Sequence, residues 1–180
     1  MISIIKSAIF CCFLALSSFT NAQNSDDQNA LNKKFHEFDF WLGEWDVYKY
    51  GTDTLVGHSK IESIIDSVGL LENYWSAMGK YQGKSLNKYN SSNGIWEQFW
   101  IDNGGNTLKL AGGLNSGNMV LENKRETKDG PLQNKITWEK LEKGNVRQTW
   151  EVSKDGGNTW KTVFDGLYVG HKLKNGEMRK

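Results

Sequence analysis

The chain has 180 residues, with 22 Lys and Arg against 21 Asp and Glu, so its formal net charge is +1 with the histidines neutral. No cluster of basic residues interleaved with aromatics is present, which argues against a surface built to track a phosphate backbone and against nucleic acid as a partner. Both cysteines, Cys11 and Cys12, lie in the first apolar run, so no disulfide, thiolate metal site or cysteine nucleophile is expected in the folded domain.

Residues 1–22 read as a signal peptide. Lys6 supplies a short basic start, Ser7 to Phe19 carries no charge, and Thr20, Asn21 and Ala22 form a small-residue cleavage site before Gln23. The apolar run is shorter than the roughly 20 residues that a membrane-spanning helix needs. The expected product is therefore exported, periplasmic or extracellular, and keeps no transmembrane segment after cleavage. It retains 158 residues, with 21 basic and 21 acidic side chains once Lys6 is lost, a length that suits one domain with a sizeable core. Residues 23–34 are polar and rich in Asn, Asp and Gln, which predicts a flexible leader. Phe35 to Leu42 is the one short helical candidate, apolar enough to plug an end of the domain that spans 35–172. Residues 173–180 are left as a tail.

From Gly43 onward, short aromatic and β-branched segments alternate with glycine, Asn and Asp. The predicted strands are Glu44 to Tyr50, His58 to Ile65, Leu70 to Met78, Ser85 to Asn90, Ile95 to Asp102, Thr107 to Ala111, Met119 to Glu126, Lys135 to Leu141, Val146 to Ser153 and Lys161 to Val169. Glycines in the connections supply the positive φ of tight hairpin turns. An open sheet of ten strands tends to curl, and closure removes its edges. The expected fold is all-β: an antiparallel up-and-down barrel of about ten strands with a short N-terminal helical plug. A two-sheet sandwich is the rival architecture.

Phe38 to Tyr48 is the densest aromatic cluster. Gly43, two residues before Trp45, lets the chain turn into the first strand while the indole covers the open end. This segment, with Leu71 to Trp75, Gly83 to Ser85, Trp96 to Asp102, Val146 to Trp150 and the hairpin at Ser153, resembles the uncharacterised bacterial proteins grouped as domain of unknown function 1579. Gly43, Glu44 and Trp45 are similar to the Gly-x-Trp of lipocalins. The first resemblance implies a secreted barrel and names no reaction. The second implies a small apolar ligand held inside a calycin-type barrel, although the chain has no later lipocalin motif and no cysteine pair in the domain.

Trp96, Gln98 and Trp100 alternate along one strand and therefore share a face, and Val146, Gln148 and Trp150 repeat the pattern on a later one. Two amides flanked by indoles suit a cavity that stacks on a ring and fixes its orientation, or a core in which each Gln satisfies a neighbour. The solvated character of Arg147, Thr149 and Glu151 turns Gln148 and Trp150 inward, and by likeness Gln98 and Trp100 too, leaving Glu97 outside. Trp75, Glu72, Arg147 and His58 complete the expected cavity wall. His58 and Glu72 form an acid and base pair if their strands point them the same way.

Ser153, Asp155, Gly157, Thr159 and Trp160 have the spacing of the Asp-box of sialidase-type propellers. One box in a chain this short predicts a structural hairpin, because a propeller needs several blades. The three histidines, His36, His58 and His171, share no helix-spaced zinc pattern and no nucleophile elbow, so no metal site and no cofactor are expected. His171 is the one best placed to hold haem, as in the comparable ten-stranded barrels called nitrobindins, but its position beyond the last strand argues for solvent rather than iron. The expected function is small-molecule binding. An enzyme of the same barrel (lyase, isomerase or hydrolase) using Glu72, His58 or Arg147 is the alternative, and a passive interaction module the third.

Overall fold

The computed structural model describes residues 26–171. The expected signal peptide and the tail from residue 173 lie outside the described residues. Residues 26–35 form a helix, α1, where composition predicts an unstructured leader. Asp26 and Asp27 sit at its positive end and Lys33 and Lys34 at its negative end, so side-chain charge offsets the helix dipole at both termini.

Phe35 to Leu42 is not one α-helix. The chain turns through residues 36–38 into a single 3-10 turn, Asp39–Trp41. Four aromatic residues in this segment carry poor helix propensity. Gly43 at φ +138° then admits the change of direction into the first strand.

Ten strands follow: β1 (Gly43–Lys49), β2 (Leu55–Ile64), β3 (Gly69–Ser76), β4 (Gln82–Asn90), β5 (Ile95–Asp102), β6 (Thr107–Asn115), β7 (Asn118–Thr127), β8 (Gly130–Lys140), β9 (Val146–Ser153) and β10 (Lys161–Gly170). Each pairs antiparallel with its neighbour in sequence, and β1 pairs with β10, so the sheet closes as an up-and-down barrel rather than a sandwich. Closure leaves no strand edge unpaired.

Four strands run several residues further than their punctuation suggests: β2 and β4 each begin three residues early, at Leu55 and Gln82, and β6 and β8 extend furthest. β6 continues through Gly112 because that glycine faces inward against β7, where a Cβ would meet the Val120 carbonyl oxygen at 2.1 Å. β8 begins before Pro131, which the strand tolerates in its first residues beside the Lys128 and Asp129 turn. The β6–β7 connection is a two-residue turn, Ser116 and Gly117, with φ of +51° and +86°, the mirror-image turn whose twist matches the strands it joins.

Inward side chains follow the period of two, and one end of the barrel is filled. Phe38 and Trp41 lie fully buried there against Trp96, Trp138 and Tyr168. Trp45 donates its indole N–H to the Trp41 carbonyl at 2.9 Å, which ties the 3-10 turn to β1. The plug is thus made by residues 38–45, and the space left in the barrel lies toward the other end.

Candidate functional site

The interior cavity has a volume of about 190 Å³. Six aromatic side chains wall it: Tyr74, Tyr81, Trp100, Trp150, Phe164 and Tyr168, joined by Leu108, Ile136 and Val163. Tyr81 and Val163 are about half exposed and form the rim. The polar groups in the wall are Glu72, Gln98 and Gln148.

Glu72 is the chemically distinctive one. It sits on β3, buried, with Ser59 Oγ donating to Oε1 at 3.1 Å and Ser85 Oγ donating to Oε2 at 2.8 Å. Burial disfavours its charged form and pushes the pKa up to about 7, against the smaller lowering effect of the two hydroxyls. The network continues as Asn87 donates to Ser85 Oγ at 2.9 Å and Gln98 donates to Asn87 Oδ1 at 2.8 Å. Opposite, Tyr168 O–H donates to the Gln148 carbonyl, and Trp150 N–H donates to Asn134 Oδ1 at 3.0 Å. Each glutamine is therefore anchored by one half of its amide. Among the described residues no side chain bonds the Gln98 side-chain carbonyl or the Gln148 amide nitrogen.

Gln98, Trp100, Gln148, Trp150 and Glu72 thus meet in one cavity, with Glu97 and Phe99 on the outer face. Four other expected wall residues lie elsewhere. Trp96 points inward but belongs to the plug, fully buried edge-on to Phe38 and donating its N–H to Glu37 at 3.2 Å. Arg147 faces outward, making a bidentate pair with Asp165 at 2.8 Å and lying over the Tyr50 ring. His58 and Trp75 also face outward, because register pairs His58 with Trp75 and Ile61 with Glu72. Residues 58 and 72 are consequently on opposite faces of the sheet, and the expected His58–Glu72 acid and base pair does not form. Tyr74, Tyr81, Leu108, Ile136, Val163, Phe164 and Tyr168 line the cavity without being among the expected wall residues. The signal for Tyr74 was present, since period two places it beside Glu72 once that residue is turned inward.

Outside the barrel, His58 Nδ1 and His171 Nδ1 each lie 2.8 Å from the same oxygen of Asp46. His58 also stacks on Trp75, ring centroids 5.9 Å apart. His171, with this carboxylate partner on the outer surface, is remote from the cavity lining, so it is not placed to hold a haem within it.

The hairpin between β9 and β10 is closed by the box. Ser153 Oγ donates to Asp155 Oδ1, which accepts the Thr159 N–H at 2.9 Å, while Thr159 Oγ1 donates to Asp155 Oδ2 at 2.6 Å. Gly157, at φ +94°, donates its N–H to Ser153 Oγ, and Trp160 N–H returns to the Gly157 carbonyl. These donors hold the Asp155 carboxyl down at about 2. Asp155→Ala is expected to lower the melting temperature while leaving the affinity of a cavity ligand unchanged. Because the folded pKa is depressed, the stabilisation is present above the ordinary Asp value and is lost as pH falls toward 2. A variant that melts like wild type but loses cavity binding contradicts the structural role.

No family model matches the chain, and no curated protein matches it. Its class is set by the fold: a closed ten-stranded antiparallel barrel, compatible with a calycin-like plan, with an interior cavity.

Proposed function

We propose that the chain is an exported barrel that binds a small, single-ring apolar or aromatic molecule in its interior. The observation that carries the reading is the aromatic cavity of about 190 Å³ with two half-anchored amides in its wall. An apolar cavity of about 150 Å³ takes up benzene, so this volume suits a small ring compound with a few substituents. The rings supply apolar and stacking contact, and the amides orient a polar substituent. Export is supported by the charge-free run and cleavage pattern of residues 1–22.

The test uses 4-nitrotoluene, a single ring that quenches indole emission. Wild-type protein is expected to show saturable quenching with one site per chain, and Leu108→Phe, which fills the cavity from its wall, is expected to weaken binding at least ten-fold. Quenching that is linear in concentration, or unchanged in the variant, sinks the reading. A second reading, an enzyme of the same barrel, is favoured by one feature: a buried carboxyl with a pKa near 7 is suited to proton transfer at neutral pH. His58 and Arg147 have no part in it, because both face outward.

A further inference from the structure

We propose that Asp46, His58 and His171 form a site for a borderline divalent cation, with Zn²⁺ as its representative, on the outer face of the barrel where the first and last strands meet.

The three residues come from three adjacent strands or their ends. Trp45 and Val47 point inward and are buried, so Asp46 between them points outward. Register sets His58 of β2 directly opposite Asp46. On the other side Asp46 pairs with Val169 of β10, and His171 lies two residues further on, where its backbone N–H donates to the Glu44 carbonyl at 2.8 Å and extends the ladder. The diagonal neighbour across an antiparallel pair is within reach of a long side chain. All three groups thus converge from fixed backbone, and the Trp75 ring, stacked at 29° to the His58 ring, supports one imidazole from behind.

The donor set is two imidazole nitrogens and one carboxylate oxygen, all within 4.8 Å of one another. That mixture suits Zn²⁺ and its first-row neighbours rather than Mg²⁺ or Ca²⁺, which prefer oxygen ligands. Bonds of about 2.0–2.2 Å in tetrahedral geometry separate the ligand atoms by about 3.3–3.5 Å. The two nitrogen–oxygen separations are now 2.8 Å, so an ion requires the side chains to part by well under 1 Å at each. The two protons that lie between nitrogen and oxygen in the metal-free state leave to solvent or move to Nε2, and the cation takes their place. Three protein ligands leave at least one position for water, as in exchangeable or catalytic sites rather than closed structural ones.

The competing account is a hydrogen-bonded staple that only ties β10 and β2 to β1. The experiment separates the two with the exported chain prepared without a polyhistidine tag, metal-stripped and titrated with Zn²⁺ against a chromophoric chelator, and in parallel with Co²⁺ for its visible ligand-field bands. Wild type is expected to take up one ion per chain and to show those bands. His171→Ala is expected to weaken Zn²⁺ binding at least ten-fold, and His58→Gln by as much, although Gln still offers Asp46 a donor and so preserves the staple. His36→Ala, a histidine outside the site, is expected to change nothing. The site is refuted by wild-type protein that takes up no stoichiometric Zn²⁺, or by uptake that persists undiminished in both His58→Gln and His171→Ala while their thermal melts show that they fold.

Discussion

Trp41→Ala is expected to destabilise the barrel by about 3–5 kcal/mol, the range for deleting a large aromatic side chain from a packed core. Trp41 is fully buried and stacks on Phe38 at 5.1 Å and 19°, with Trp138 at 5.3 Å and Tyr168 at 6.1 Å around it. Its place between the 3-10 turn and the barrel interior means that no neighbouring strand can close over the void without breaking the ladder. The indole N–H finds no acceptor among the described residues, so the contribution is packing rather than hydrogen bonding. Trp41→Phe is accordingly expected to cost much less than the alanine variant. Urea unfolding measures both, and an alanine variant within about 1 kcal/mol of wild type would show that the plug is dispensable.

Glu72 gives the second large effect, and it is a pH dependence. Its folded pKa of about 7 stands above the ordinary 4.5 because the carboxyl is buried. Between those values the folded chain holds a proton that the unfolded chain has released, so the contribution of Glu72 to stability is greatest below about pH 4.5 and declines as pH rises through 7. A shift of this size corresponds to a loss on the order of 3 kcal/mol from this group alone. Glu72→Gln keeps an acceptor for the Ser59 and Ser85 hydroxyls and removes the ionisation. Urea titrations at pH 5 and pH 8 are expected to differ for wild type by more than they do for the variant. An equal difference in the two proteins would place the carboxyl's titration elsewhere.

The parts that could be read from sequence are those set by local rules. Ten strands were legible because alternation and glycine turns act within a few residues, and Ile95–Asp102 and Val146–Ser153 match the expected bounds. The direction of Gln148 and Trp150 was legible from the solvated Arg147, Thr149 and Glu151 that alternate with them, whereas Gln98 and Trp100, whose opposite face is apolar apart from Glu97, followed only by likeness of pattern. Where local punctuation misled, a neighbour explains it. Gly112 looks like a loop residue and is instead the spot where β6 approaches the β7 backbone. Phe35 to Leu42 has the composition of a plug and supplies one, through the 3-10 helix Asp39–Trp41 rather than a continuous α-helix.

His58 and Trp75 were expected in the cavity on residue type alone, and type does not decide which face a side chain takes; Arg147 was expected there too, although its alternation with Gln148 and Trp150 already puts it on the solvated face. A guanidinium facing outward finds Asp165 and stays partly solvated, whereas the same group inside would have to be stripped of water beside apolar rings. The sequence by itself determined that the chain is built of short strands, how their faces alternate and which turns join them, because those depend on neighbours a few positions apart. Register and closure were decided only in three dimensions. They bring Asp46, His58 and His171 together across 125 positions of chain, and they bury Glu72 among residues from other strands. The physical reason is that a one-residue slip in pairing turns every side chain to the opposite face, and no stretch of a single strand records which partner residue it will meet.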